Sequence, residues 1–438
     1  MPPRVCFPRC WEGMPRCSRL TVPDVSQASP MLRGGRGPSG RGRTPHRLMG
    51  DQDRERTPQG RWSLTCFMAD CIGHITGGRG MRIALDARKL TTTDSGIGNY
   101  TLNLARALLE EDKAIELLLI CRTTHGRGRL QDPRVTEVVF PFPPMSPVTQ
   151  FALGPFLRRQ HFDVFHSPLE LAPWRLHRPV VVTIHDLHWI VNPRYHSHNL
   201  FFRLAGGVFF RAGLTAAMRA ASRILAISHA TQHAILEYAP WHASKIRVAY
   251  NGIDRSRIYP MEKAMAYRTL AHLIEPGTPF VLTVGQGTPY KNHLHAVRGF
   301  LAAFGHRPEY RMILVRRSVG RDTALEAALQ SPRAKAHVLM LPYVTPAVLN
   351  ALYNAARMVL HPSYYEGFGL PLIEAMATGT PIVTSTVSAM PEVAGPAALL
   401  VSPADDRAIA EALVTLDQDN AVRERLIAEG RKRLDRFR

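Results

Sequence analysis

The sequence predicts an α/β protein with two domains, each built on a mainly parallel sheet. Short apolar segments alternate with helical segments along most of the chain, which is typical of parallel sheets covered by helices on both faces. Residues 256–274 carry no clear strand, and a new first strand follows them at 279–285. The 438 residues and a hydrophobic content of 45% allow two domains of ordinary size, each with a core.

These observations divide the chain into four parts. A basic extension covers 1–80, a first domain 81–255, a linker 256–274 and a second domain 275–438. The extension is rich in Arg, Gly, Pro and Ser and has no sustained apolar period, so it cannot bury enough surface to offset the entropy of ordering. We expect it to be disordered and to lie ahead of a natural start at Met81.

The formal net charge of +20 suggests a nucleic-acid-binding protein at first sight. Seven of these twenty charges lie in the extension, where thirteen Arg stand against six acids. We therefore expect no nucleic acid as a partner of the folded body. A basic tail that binds RNA or acidic lipid is the alternative interpretation of the extension.

Cysteine use and hydropathy limit where the protein works. Only one of the six cysteines, Cys121, belongs to the folded part, so we expect no disulfide there and a reducing cytoplasm. No apolar run reaches the roughly 18–20 residues that a membrane span needs. Basic helices of the first domain, including 203–223, suggest a peripheral contact with the inner face of an anionic membrane. A solvated face is the alternative.

The first domain begins with a buried strand at 81–86 and a helix at 100–110. Between them, Gly96-Ile-Gly98 is predicted to form a loop where open α/β sheets bind ligands. The loop lacks the third glycine of a dinucleotide fingerprint, so it does not indicate NAD. Further strands are predicted at 115–120, 137–140, 163–165, 180–184, 222–227 and 246–248.

His185 directly follows one of these strands, at the edge of the sheet where ligands bind. A neutral imidazole there can accept a hydrogen bond from a hydroxyl group or donate one. The alternative is that His185 and Asp186 form a capping pair with a structural role.

The second domain repeats the order of strand, glycine loop and helix. Its first strand ends at Gly285, and Lys291 lies just before a helix at 293–303. A lysine at a helix start adds positive charge for a bound phosphate, although a simple surface lysine is the alternative. Further strands are predicted at 312–315, 337–341, 357–360 and 398–401, with helices at 346–355 and 406–416.

The segment 361–381 carries the strongest functional signal. Its loop from Glu366 to Gly369 contains glycines that let backbone N–H groups face a ligand. Pro371 is typical of a helix start and Gly379 of a helix end, which puts Glu374 about one turn into the helix. Both carboxylates then lie near the positive end of a helix, which suits a phosphate. Two acids that bind hydroxyls beside a phosphate site indicate a sugar nucleotide, and surface charge is the alternative.

This segment resembles the E-x7-E signature of the retaining glycosyltransferases of family 4. The resemblance extends to residues 352–362, to Pro391-Glu392-Val393 and to the turn Asn251-Gly252-Ile253-Asp254. It implies the GT-B fold, in which two Rossmann-like domains with parallel sheets face each other across a cleft. It also implies transfer of a hexose from a nucleoside diphosphate sugar to an acceptor hydroxyl, with retained configuration. An epimerase or a phosphorylase of the same fold is the alternative.

The resemblance implies a role for each candidate residue. Glu366 and His185 would be the catalytic residues that contact the transferred sugar, and Glu374 would bind the ribose. Gly96 and Gly98 would close against the diphosphate and the acceptor. The complete set of implied donor-binding residues is Glu374, Lys291, Gly285, Gly367, Phe368, Gly369 and Leu370.

The second domain looks most similar to bacterial polysaccharide mannosyltransferases, which favours GDP-mannose as the donor. The expected partners are this nucleotide sugar and a saccharide or lipid-linked acceptor, without a further cofactor. No metal is expected, because no Asp-x-Asp sequence follows a strand end. The chain has Gln286 and Tyr290 where the family usually has an arginine near the lysine. Family members also continue with one more helix, so we expect the chain to be truncated after Arg438.

Overall fold

The computed structural model describes residues 80–90, 96–123, 130–191, 200–317 and 322–437. The extension that was expected to be disordered lies outside the described residues apart from Gly80, and so do five of the six cysteines. Cys121 is buried and carries a free thiol. In the described ranges, every helix is too short or too polar to pass through a bilayer.

The first lobe, residues 80–255, contains a seven-stranded parallel sheet. Its strands are β1 (Arg82–Asp86), β2 (Glu116–Cys121), β3 (Val135–Val139), β4 (Val164–Ser167), β5 (Val180–Ile184), β6 (Arg223–Ala226) and β7 (Ile246–Val248). They lie in the order β3-β2-β1-β4-β5-β6-β7. The helices described in this lobe are α1 (Gly96–Glu111), α2 (Pro147–Leu157), α3 (His188–Val191), α4 (Leu200–Ala220) and α5 (His229–Tyr238).

The central strands of this sheet are buried on both faces. In β1, Ile83 and Leu85 pack into one apolar cluster and Ala84 packs into another, because successive side chains point to opposite faces. Helices cover both clusters, which explains why the strands are continuous apolar segments in the sequence. The observed strands differ from the predicted ones by at most two residues at either end.

Helix α1 begins at Gly96, four residues before the predicted start at Tyr100. The prediction that Gly96 and Gly98 lie in a loop is therefore wrong, since both belong to the first helical turn. Glycine costs about 1 kcal/mol in a helix interior relative to alanine, which is why the sequence argued for a later start. Packing overrides that preference, and Gly98 is buried on the same side as Leu102.

The second lobe, residues 256–437, contains a six-stranded parallel sheet. Its strands are β8 (Phe280–Gln286), β9 (Arg311–Arg317), β10 (Val338–Leu341), β11 (Met358–His361), β12 (Ile382–Ser385) and β13 (Ala398–Val401). They lie in the order β10-β9-β8-β11-β12-β13. The helices described here are α6 (Lys263–Thr269), α7 (His293–Phe304), α8 (Thr323–Leu329), α9 (Pro332–His337), α10 (Pro346–Ala355), α11 (Leu370–Thr378), α12 (Met390–Ala394), α13 (Asp406–Gln418) and α14 (Asn420–Arg433).

Helix α11 starts and ends close to where the sequence predicted. Its first residue is Leu370, one residue before Pro371, and Gly369 precedes it with φ of 98°. Gly379 ends the helix with φ of 70°, which confirms the left-handed position predicted for it. Both glycines adopt a conformation that a side chain would strain.

The segment 256–274, expected to be a linker, contains helix α6. Ala266 and Leu270 of this segment are fully buried in the second lobe's core. Phe437, the last residue described in the second lobe, contacts the turn that precedes this segment, because the Ile253 N–H donates to the Phe437 carbonyl at 3.2 Å. The Tyr250 and Phe437 rings also lie 5.6 Å apart. Residues at the end of the second lobe therefore pack against the turn that closes the first.

Candidate functional site

The candidate site lies where the carboxyl ends of the two sheets meet. In parallel sheets, ligands bind outside these strand ends. The loops after β5 and β6 in the first lobe contact the loop after β11 in the second, which contains residues 362–369. A cavity of about 340 Å³ lies between this loop and helix α5. It is lined by Ala230, Thr231, His233, Ala234, Glu237, Tyr364, Tyr365, Glu366 and Ser388.

The Glu366 carboxylate is held by three donors at one of its oxygens. Lys291 Nζ lies 2.6 Å from Oε1, His361 Nε2 lies 2.9 Å away and Ser363 Oγ lies 3.0 Å away. Burial alone would raise the pKa of Glu366, but the charge of Lys291 and the hydrogen bond from His361 hold it well below its usual range. Oε2 accepts no hydrogen bond from the described residues, so it can accept one from a ligand hydroxyl.

Lys291 completes a short buried ion pair with Glu366. Burial alone would lower the pKa of Lys291, but the neighbouring Glu366 carboxylate raises it above its usual value. Gly285 lies beside this side chain: a Cβ at Gly285 would be in ordinary contact with Lys291 Cδ, at 3.5 Å, and in tight contact with His293 Nε2, at 3.1 Å. The structure therefore brings together three predicted residues, Gly285, Lys291 and Glu366.

Gly367 lies in close contact with the first lobe. A Cβ added there would lie 1.8 Å from the His185 carbonyl oxygen, so only glycine fits. The Gly367 carbonyl accepts hydrogen bonds from Ser228 Oγ at 2.7 Å and from Thr231 Oγ1 at 3.2 Å. Ser228 also caps α5, since its hydroxyl accepts from the Thr231 N–H at 2.9 Å.

The predicted N–H donors lie at the start of α11. Phe368 itself is a core residue, with 2% of its surface exposed. Among the described residues, the N–H groups of Gly369 and Leu370 find no acceptor, which is expected for the first N–H groups of a helix. Such groups, with the helix dipole behind them, form a place for an anion.

His185 is a neutral imidazole whose ring contacts residues of its own lobe. Its Nε2 lies 3.0 Å from the Pro168 carbonyl oxygen, and a carbonyl can only accept, so Nε2 carries the hydrogen and Nδ1 the lone pair. Burial lowers the pKa of His185 despite that hydrogen bond and the nearby Asp186. The edge of the Tyr100 ring packs on the imidazole, with ring centroids 4.8 Å apart.

Two further acids lie beside His185. Asp186 accepts a hydrogen bond from the His188 N–H at 2.9 Å, so the capping role foreseen for it is present. Burial and the neighbouring Glu170 carboxylate raise the pKa of Asp186 to about 6. Burial also raises the pKa of Glu170, whose Oε1 accepts from the His185 N–H at 3.4 Å. Sequence reasoning missed Glu170 because no motif surrounds it.

Glu374 has partners that are different from those of Glu366. Tyr353 Oη donates to Glu374 Oε2 at 2.6 Å. Burial raises the pKa of Glu374, against the effects of the Tyr353 hydrogen bond and the charge of Arg257. Arg257 also donates to Asn99 Oδ1 at 2.8 Å. The arginine whose charge acts on Glu374 thus holds the first turn of α1, the turn that contains Gly96 and Gly98.

Glu392 fastens the second lobe to the start of α5. Its two carboxylate oxygens accept from the N–H groups of His229 at 2.7 Å and Ala230 at 2.9 Å. A carboxylate at the positive end of a helix is favourable both as an acceptor and as a charge. The sequence offered only a resemblance at Glu392, since its partner lies more than 160 positions away.

No group of three His, Cys, Asp or Glu side chains in the described residues is arranged to hold a metal ion. The charges at the cleft are instead balanced between side chains, as in the Lys291–Glu366 pair.

Comparison with known proteins gives matches in both lobes. Residues 95–257 match the family described as "Glycosyltransferase Family 4", and residues 271–433 match "Glycosyl transferases group 1". The chain is 30% identical over 385 residues to "O-antigen chain mannosyltransferase B" of Escherichia coli, covering 82% of this chain and 96% of that protein. It is 26% identical over 241 residues to "O-antigen chain mannosyltransferase RfbU" of Salmonella typhimurium, covering 55% of this chain and 62% of that protein.

A solved structure has the same arrangement of lobes. The structure of Anabaena Alr3699/HepE in complex with UDP and glucose superposes with a TM-score of 0.65 at 19% identity. The match covers 82% of this chain and 96% of that chain. This similarity confirms the predicted α/β fold with two Rossmann-like domains.

Proposed function

Because the chain belongs to the family 4, group 1 glycosyltransferases and has their GT-B fold, we propose that it transfers a hexose from a nucleoside diphosphate sugar to a saccharide. The favoured donor is GDP-mannose, and the proposed transfer retains the configuration at the anomeric carbon. The proposed setting is polysaccharide biosynthesis. The observation that carries the proposal is the buried Glu366 carboxylate, held by Lys291 and His361 beside the start of α11.

The preference for mannose is supported by the names of relatives. The curated relative that this chain spans almost completely is an O-antigen chain mannosyltransferase. Retention is supported by the E-x7-E resemblance, since that signature is typical of retaining enzymes. In a retaining transfer, the acceptor approaches the face from which the diphosphate leaves.

The diphosphate would bind at the start of α11. There the N–H groups of Gly369 and Leu370, the helix dipole and the Lys291 ammonium supply positive potential. Negative charge grows on the diphosphate as the glycosidic bond breaks, so donors fixed in advance lower the barrier of this step. Lys291 would then interact with both Glu366 and the diphosphate, while Glu374 would accept hydrogen bonds from the ribose hydroxyls.

The transferred hexose would lie between Glu366 and His185. The pKa of Glu366 is low, so the carboxylate stays ionised and its Oε2 can accept from a sugar hydroxyl. The imidazole of His185 would accept from another hydroxyl at Nδ1, because Nε2 donates to Pro168. Two acceptors with fixed positions would select the orientation of the hexose ring and exclude water from around the hexose.

The acceptor would enter from the first lobe, near Gly96 and Gly98. We propose a saccharide acceptor, carried on a lipid in its natural form, and hence peripheral contact of the first lobe with a membrane. No metal or further cofactor is needed in this scheme, so we expect transfer to continue in the presence of a chelator.

The test is transfer from a panel of nucleotide sugars by the parent chain, Glu366→Ala and a control, Glu411→Ala. Glu411 lies on the surface of α13 with its side chain 63% exposed. We expect the Glu366 change to lower kcat/KM by more than about tenfold, or ~1.4 kcal/mol of barrier, and the control to be unaffected. A loss below tenfold would contradict the role of Glu366. Conversion of the donor in the absence of an acceptor would instead indicate an epimerase.

A further inference from the structure

Helix α2 is apolar on its outward face as well as on its inward face. Leu153 and Leu157 are buried in the core of the first lobe. Val148, Phe151 and Pro155 lie at helical spacing on the other side and are exposed, Phe151 to 61%. A surface helix of a soluble protein normally carries polar residues on its outward face. The outward face of α2 is therefore more apolar than a face exposed only to water is expected to be.

Neighbouring segments extend this exposed surface. The Trp174 ring packs edge-on against Phe151 with centroids 4.8 Å apart, and 43% of Trp174 is exposed. The Trp174 N–H donates to the Gln150 carbonyl at 3.0 Å, which holds the two segments together. Phe142, 40% exposed, precedes α2. We call Phe142, Val148, Phe151, Pro155 and Trp174 the apolar face.

The apolar face is anchored to the edge of the sheet that bears the site. Arg88 is fully buried and forms a two-point ion pair with Asp86, the last residue of β1, at 2.6 and 2.8 Å. The same guanidinium donates to the Phe142 carbonyl at 3.1 Å and to Thr149 Oγ1 of α2 at 2.9 Å. The face is thus preformed, at a fixed position relative to the carboxyl ends of the strands.

The segments that form the apolar face carry basic residues and no acids. Residues 138–162 and 171–179 contain no Asp or Glu. Arg158 and Arg159 at the end of α2 are exposed, and so are Arg175 and Arg178 next to Trp174. Aromatic rings flanked by arginines match the chemistry of an anionic lipid surface. Aromatic rings lie at the level of the headgroups, and each arginine near the surface strengthens binding about fivefold.

We propose that the apolar face and these four arginines dock the first lobe on an anionic lipid bilayer, with Phe151 and Trp174 entering the headgroup region. The surface differs from the basic helix 203–223 that the sequence suggested. Only the reason for docking depends on the proposed function, because docking would hold the cleft near a lipid-linked acceptor. Docking itself requires no sugar transfer.

The test is flotation of the full chain with vesicles of phosphatidylcholine alone or with phosphatidylglycerol, at low and high salt. We compare Phe151→Ser/Trp174→Ser with Trp241→Ser, a tryptophan that is 65% exposed elsewhere on the first lobe. We also compare Arg158→Gln/Arg159→Gln with Arg211→Gln/Arg219→Gln, two exposed arginines on α4. Each of these double substitutions removes two positive charges: the first acts on the surface at α2 and the second on the surface at α4.

The parent should bind anionic vesicles only, and more weakly at high salt. We expect the aromatic variant to bind at least about tenfold more weakly, the α2 arginine variant about thirtyfold more weakly, and both controls within about twofold of the parent. Transfer to a water-soluble acceptor should be unchanged in all four variants, which separates loss of docking from loss of activity.

Four outcomes would overturn the proposal. The parent could fail to bind anionic vesicles, or the α4 pair could lose as much binding as the α2 pair. The aromatic variant could also keep vesicle binding but change from oligomer to monomer in light scattering, which would make the face an interface between copies. Unchanged vesicle binding in both the aromatic variant and the α2 arginine variant would show that another part of the chain binds the vesicles. Transfer activity would remain a separate result in each case.

Discussion

Replacing Gly367 by alanine should stop catalysis without unfolding either lobe. The new Cβ would lie 1.8 Å from the His185 carbonyl oxygen, whereas carbon and oxygen atoms in contact lie about 3.3 Å apart. The loop must therefore retreat by about 1.5 Å from the first lobe. Ser228 and Thr231 would then lose their hydrogen bonds to the Gly367 carbonyl, each of which contributes roughly 1 kcal/mol.

The same displacement moves Glu366, which precedes Gly367 in the loop. A misplacement of about 1 Å at reacting groups costs on the order of a hundredfold in rate. We expect kcat/KM for hexose transfer to fall by at least that factor, while Tm falls by only a few degrees because the core of each lobe is untouched. Steady-state transfer assays and thermal unfolding of the same preparation measure both quantities.

The matched control is Gly207→Ala in helix α4. No heavy atom lies within 4 Å of a Cβ at Gly207, so this change adds a methyl group in open space. Alanine in a helix is favourable relative to glycine by up to about 1 kcal/mol, and activity should not change. If Gly367→Ala keeps more than a third of the parent activity, the close approach of Gly367 to His185 is not part of the catalytic state.

Two further changes test the electrostatics of the cleft. The pKa of Asp186 is raised to about 6 in the folded chain, so folding favours its protonated form and stability is lost as pH rises from about 4 through 6. Asp186→Asn keeps an acceptor for the His188 N–H, so we expect a higher Tm than the parent at pH 7.5 and no gain at pH 4. An equal shift at both pH values would contradict the assignment. Glu392→Ala leaves the N–H groups of His229 and Ala230 without their carboxylate, which weakens the contact between lobes by about 1–2 kcal/mol. Small-angle scattering should then show a larger radius of gyration and donor affinity should fall about tenfold, whereas an unchanged radius would contradict this role.

Much of the local structure around the candidate site was predictable because its signals are local. Gly379 in its left-handed position and a helix start next to Pro371 follow from the conformational limits of these residues. The strand β5 and the helix α10 have the predicted bounds, because buried apolar segments and a Thr-Pro start are local patterns. The start of α1 was missed because packing in the tertiary structure outweighs the helix preference of Gly96 and Gly98.

The roles assigned to Glu374, Lys291 and His185 stay predictions, and the structure adds the partners that sequence could not supply. Glu170 carries no motif, yet it lies beside His185 and raises the pKa of Asp186. The Ser228 hydroxyl caps α5 and also donates to the Gly367 carbonyl on the other lobe. The contact between Ser228 and Gly367 joins residues 139 positions apart, and no local pattern encodes it.

By itself, the sequence determined the class of fold and the order of its elements. These properties depend on backbone preferences and on apolar periodicity, which act over a few residues. The tertiary structure alone decided that Lys291 pairs with Glu366, that Glu392 binds the start of α5 and that the apolar face stays exposed. Each depends on which surfaces the two packed sheets bring together, and this is a property of the whole chain.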